Sequence, residues 1–140
     1  MAIRQALCKS YKAEILRGLH SDIAIYKMAL YTSEADLDEN TTAYTLLGEA
    51  KSGTGYAAGG KDLTGFSVQM HSGVAVLDFD DAVWGPGATI KASGGLIYNE
   101  TMLNKSVAVL AFGSSYACIN GELRVEFPEP TKTEALIRVI

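Results

Sequence analysis

Apolar residues recur at every fourth position near the start of the chain, at Ile3, Leu7, Tyr11 and Ile15, with Ala6 beside them on the same face. This spacing predicts one amphipathic helix over residues 2–18, ended by Gly18, because glycine enters the left-handed conformation of a helix terminus without steric cost. From Ile23 onward the period changes. Short apolar runs bounded by Gly, Asn, Ser and Thr follow one another, the pattern of an all-β sandwich or barrel. Residues 23–31, 63–70 and 74–79 read as strands, the last two joined by a tight hairpin at His71-Ser72-Gly73. Residues 89–92 and 96–98 flank Gly94-Gly95, which fits either a bulge or a turn.

The unbroken apolar run at residues 106–112 predicts a strand covered on both faces and therefore central in its sheet. Asn120-Gly121 carries the strongest hairpin signal in the chain and predicts a turn between strands at 116–119 and 122–127. In the second of these, Leu123, Val125 and Phe127 alternate with Glu122, Arg124 and Glu126, so one face is core and the other solvent. Pro128-Glu129-Pro130 removes two backbone donors and starts an extended arm, which ends in an apolar strand over residues 135–140. Such a strand invites augmentation, within its own domain or onto a neighbouring subunit. The expected organisation is one domain over residues 1–140: a helix at 2–18, a β-sandwich at 23–127, and a C-terminal arm at 128–140.

Composition narrows the function classes. With 48% hydrophobic and 20% charged residues, the chain is apolar enough to fold around its own core. Twelve Lys and Arg against sixteen Asp and Glu leave a net charge of −4, and no basic run is long enough to follow a phosphate backbone, so nucleic acid is not expected as a direct partner. The longest apolar run, residues 107–112, is far short of the roughly 18 residues that a membrane helix requires. Arg4 and Gln5 precede any apolar block, so no secretory signal is expected and synthesis is placed in a cytoplasm. In that compartment Cys8 and Cys118, lacking neighbours at metal-ligand spacing, are expected as reduced, packed thiols. Arg4, Lys9, Lys12 and Arg17 make the first segment locally basic, either as a solvated face or as a surface that docks on an acidic neighbour.

No catalytic motif survives. Gly53-Thr54-Gly55-Tyr56-Ala57-Ala58 matches the letters of a dinucleotide fingerprint, but no helix follows to meet a pyrophosphate, so the stretch reads as a glycine-rich loop that sets Tyr56 against the sheet or a partner. Asp78, Asp80 and Asp81 supply hard oxygen ligands without the glycine and distal Glu of a calcium loop. His20 and His71 stand near no nucleophile motif. Neither a cofactor nor a metal is expected. Trp84 lies among chain-breaking residues and suits core packing at a strand end or an interface anchor.

Several stretches resemble a family of tailed-bacteriophage virion proteins: Met28-Ala29-Leu30-Tyr31-Thr32-Ser33, Thr41-Thr42-Ala43-Tyr44-Thr45, the loop from Ser52 to Gly60, Val74-Ala75-Val76-Leu77-Asp78-Phe79, Gly95-Leu96-Ile97-Tyr98-Asn99 and Val107-Ala108-Val109-Leu110-Ala111-Phe112-Gly113. The chain is most similar to the capsid cement, or decoration, proteins of short-tailed phages. It departs from them at Ala111, where the pattern has Asp, and at Ser93-Gly94, where it has a basic residue. The resemblance implies a mainly β, jelly-roll-like antiparallel β-sandwich with one N-terminal helix. It also implies a non-enzymatic role on the outer capsid surface of a virion, assembly as a dimer or trimer, and the major capsid protein as partner, with no membrane involved. A tail or neck adaptor, or a fibre-attachment protein, is the alternative. The residues expected at the partner interface are Arg4, Lys9, Lys12, Tyr56, Trp84, Leu136, Ile137, Val139 and Ile140.

Overall fold

In the computed structural model, which describes residues 2–128, 130–131 and 134–139, the expected N-terminal helix divides in two. Ala6–Leu7 forms a short strand, β1, and only Lys9–Leu16 is helical, α1. Upstream, the Arg4 N–H donates to the Leu37 carbonyl at 2.8 Å and the Leu37 N–H to the Ala2 carbonyl at 3.0 Å. The helix expected from residue 2 is thus corrected to a start at Lys9. Ile3 and Leu7 still pack against the core as partly buried side chains, and extended pairing satisfies the backbone against two other segments, so tertiary pairing overrides periodicity. Tyr11 is buried and Ile15 packs on the core, as the stripe requires. Gly18 ends the helix at φ +74°, with its N–H donating to the Ile15 carbonyl at 3.1 Å.

The remaining strands are β2 (Tyr26–Tyr31), β3 (Lys61–Asp62), β4 (Ser67–His71), β5 (Val74–Asp78), β6 (Ala82–Asn99), β7 (Lys105–Val125) and β8 (Ile137–Val139). They form an antiparallel five-stranded sheet in the order β1-β7-β6-β2-β3 and an antiparallel three-stranded sheet in the order β4-β5-β8. The small sheet joins the large one through Phe66, Leu77, Phe79 and Ile137, which pack into the same apolar cluster. Tyr26 stacks on Phe66 with ring centroids 5.4 Å apart and meets Phe79 at 5.5 Å. The protein is therefore mainly β and sandwich-like, with one short N-terminal helix. Among the described residues no helix is long and apolar enough to cross a membrane.

A long hairpin of β6 and β7 dominates the large sheet, and it corrects the expected turn at Asn120-Gly121. That dipeptide lies inside β7, where Asn120 takes φ +49° and the register against β6 slips between Ala88 and Ile90. The Asn120 N–H donates to Thr89 Oγ1 at 3.0 Å. A positive φ serves a bulge as well as a turn, and the flanking runs find their partners on β6 instead of each other. Gly94-Gly95 forms neither a turn nor a bulge: both residues stay in ladder on β6, opposite Ala111 and Leu110, and the slip between Ala92 and Gly94 places its extra residues on β7, between Ala111 and Tyr116. By contrast, the hairpin at Ser72-Gly73 forms where expected, both residues at positive φ between paired His71 and Val74. Ser106, Val107, Ala108 and Val109 are buried within β7, between β1 and β6. The C-terminal strand closes on its own domain, Ile137 opposite Leu77 and Val139 opposite Ala75.

Candidate functional site

The glycine-rich loop acts as a plug. Tyr56 is 4% exposed and Trp84 5% exposed, with ring centroids 6.4 Å apart, so both pack the chain's own core. Their assignment to a partner interface is corrected. The glycines let the loop lie flat, since a Cβ on Gly55 would strike Ala88 and one on Gly60 would strike the Met28 carbonyl. Once seated, the Tyr56 hydroxyl accepts the Leu30 N–H at 2.9 Å and donates to Glu49 Oε2 at 2.5 Å. Glu49 also accepts the Gly59 N–H at 2.8 Å and the Tyr44 hydroxyl at 2.6 Å. Burial, and then the Glu49 carboxylate, push the Tyr56 phenol well above its ordinary range. Lys61 Nζ lies 5.7 Å from the Trp84 ring centroid and donates to the Val83 carbonyl at 2.5 Å. Lys61→Met is expected to lower the unfolding free energy by about 1 kcal/mol, read from urea denaturation; an unchanged midpoint would show that this cation contributes nothing.

The first segment presents a different surface. Lys9, Lys12, Ala13, Leu16 and Arg17 all face solvent, which is one face at helical spacing, and Arg4 is exposed beside it. The single carboxylate of the helix, Glu14, turns inward and is 7% exposed. Its Oε1 accepts His20 Nε2 at 2.8 Å, and its Oε2 lies 3.6 Å from Lys105 Nζ. Asn99 Nδ2 donates to His20 Nδ1 at 3.1 Å, and Asn99 Oδ1 accepts the Met102 N–H at 3.2 Å. This orientation of the amide places the ring proton on Nε2, so both imidazole nitrogens are occupied. The ring packs 4.7 Å from that of Tyr11, whose phenol burial raises to about 12. The triad ties α1 to the end of the β6–β7 hairpin and draws the negative charge inward. Nothing local in the sequence connected His20 to Asn99.

The third surface is the small sheet. Val68, Met70 and Val139 are 58%, 68% and 52% exposed and share one face, because Met70 and Val139 both pair with Ala75 while Val68 pairs with Leu77. Of the C-terminal residues expected at an interface, Ile137 is buried and Leu136 half-buried against the core, while Val139, two positions on and on the same face of the sheet as Ile137, is exposed. Ile140 lies outside the described residues. Asp78, Asp80 and Asp81 line an open cleft with Arg124 and Glu126. Asp80 Oδ2 accepts the Thr64 hydroxyl at 3.2 Å and Asp81 Oδ1 the Phe127 N–H at 3.0 Å, so these carboxylates serve as loop anchors. Among the described residues no three His, Cys, Asp or Glu side chains are grouped to hold a metal ion. Cys8 and Cys118 are free thiols, and burial raises Cys8 above the ordinary thiol range.

Comparison with known protein families, with curated proteins and with solved structures finds no match to this chain.

Proposed function

We propose that this chain is a structural virion protein that decorates and cements the outside of a phage icosahedral capsid, bridging neighbouring major capsid proteins. The observation that carries the reading is the all-positive outward face of α1 on a protein of net charge −4. With Glu14, the one carboxylate of the helix, turned inward, the charged side chains that α1 and its cap present outward, Lys9, Lys12 and Arg17, are all basic, and exposed Leu16 adds apolar contact; Glu39, whose carbonyl accepts the Lys9 N–H at 2.8 Å, flanks this face. Such a face suits an acidic shell. Repetition of the shell then multiplies a modest single-site affinity into firm attachment. The resemblance to short-tailed phage cement proteins supports the same reading, and no step of it requires catalysis or a cofactor.

Copy number in purified virions, measured by quantitative mass spectrometry against the major capsid protein, tests it. Near-stoichiometric abundance is expected. A ring-like number of about a dozen copies or fewer would move the protein to the tail or neck, and absence from the particle would overturn both readings. The docking face has its own test in the double variant Lys9→Glu, Lys12→Glu. Its affinity for undecorated capsids should fall at least about tenfold near physiological salt, with a weaker salt dependence than the parent. Unchanged affinity would remove the helix from the attachment surface.

A further inference from the structure

The strand edges of this protein are unequally protected. In the large sheet, β1 and β3 are two residues long, and β3 carries Lys61 and Asp62. The outer part of the β6–β7 ribbon is interrupted by register slips and by Pro86, devices that turn an edge away from further pairing. In the small sheet, β8 is three residues long and carries Arg138. The other edge, β4, has none of these features. It runs Ser67-Val68-Gln69-Met70-His71, without a bulge, proline, lysine or carboxylate, and its outer side faces no other described strand.

The tight turn fixes which backbone groups that edge offers. Because Ser72-Gly73 is a two-residue hairpin, flanking His71 and Val74 exchange hydrogen bonds, and the alternation of an antiparallel ladder then directs Gln69 toward β5 as well. The N–H and C=O groups of Val68 and Met70 consequently point away from β5, beside side chains that are 58% and 68% exposed.

We infer that β4 pairs with β4 of a second copy, antiparallel about a two-fold axis at Gln69, and that the protein is a dimer built on one continuous six-stranded sheet. The strand is self-complementary in this register. Val68 lies opposite Met70 of the partner copy, so the outward groups of both residues close four main-chain hydrogen bonds. Ser67 lies opposite His71, Gln69 meets its own copy, and no like charges oppose one another. The two-fold axis keeps each face on its own side, so Val68, Met70 and Val139 from both copies merge into one apolar strip. The inference is independent of the capsid reading, since an edge pairs in solution whether or not a shell is present.

The decisive experiment uses the full chain in sedimentation equilibrium over about 1–100 μM. The parent is expected to be a dimer. Gln69→Lys and Gln69→Glu each place like charges face to face across the axis and should weaken dimerisation at least about tenfold, while an equimolar mixture of the two restores it as a heterodimer. Restoration also demonstrates that both variants fold. In a Cys118→Ser background, Gln69→Cys should cross-link on oxidation, because a non-hydrogen-bonded antiparallel pair holds its Cα atoms within disulfide reach. A monomeric parent across the range, a trimer, or a dimer indifferent to both charged variants would overturn the inference.

Discussion

Glu49→Ala is expected to remove about 3 kcal/mol of folding free energy and to lower the melting temperature by roughly 10 °C. The carboxylate is the acceptor for three donors from separate positions: the Tyr44 hydroxyl, the Tyr56 hydroxyl and the Gly59 N–H. Two of these bonds are 2.5 and 2.6 Å long, in the range of charge-assisted hydroxyl-to-carboxylate contacts. Truncation leaves a buried phenol without its acceptor and frees the glycine loop from the sheet. Tyr56→Phe should cost less, about 1–2 kcal/mol, because the ring still fills its place beside Trp84 and mainly the Leu30 N–H loses a partner. Calorimetry and amide exchange across residues 52–60 check both variants. A Glu49→Ala loss below about 0.5 kcal/mol would mean that water replaces the carboxylate.

The second large effect is alkaline. Burial raises the Tyr11 phenol to about 12, and burial together with Glu100, Glu49 and Asp62 raises Tyr98 to about 12, from an ordinary value of 10.0. Burial pushes Tyr26, Tyr31 and Tyr56 up as well. A phenol whose folded pKa exceeds its unfolded one contributes its full share of stability below pH 10. That share is lost as the pH rises toward 12, because the unfolded chain ionises first. Each such group withdraws up to about 1.4 kcal/mol per pH unit in this window, so Tyr11 and Tyr98 alone remove about 3 kcal/mol by pH 11. Denaturation midpoints followed against tyrosinate absorbance should therefore fall steeply above pH 10. A midpoint flat to about pH 11.5 would refute the assignment.

Both effects depend on residues whose importance had no local signature. Glu49 is an ordinary acidic residue in a loop, and Tyr44 and Tyr56 reach it from opposite sides in sequence. His20 and Asn99 meet across 79 positions. Trp84 was readable as an interface anchor because an indole beside glycine and proline suits an exposed corner, yet the plug formed by Tyr56 covers it. The basic segment was legible from composition alone. That the charged side chains α1 turns outward are all basic depends on Glu14 turning inward, which only the packing of His20 and Lys105 explains.

By itself the sequence determined the features that a few neighbouring residues can specify. These are the β-rich class, the left-handed stop at Gly18, the hairpin at Ser72-Gly73, and the apolar strand near the C-terminus. Each rests on local backbone preference or on a two-residue period, which no distant contact needs to supply. Only the tertiary structure decided that Ala6–Leu7 is a strand, that Asn120-Gly121 is a bulge inside β7, and that β8 closes on β5. The physical reason is common to all three. A positive φ serves a turn or a bulge, and an apolar pair serves a helix or an edge strand; the choice falls to the distant segment that satisfies the backbone hydrogen bonds.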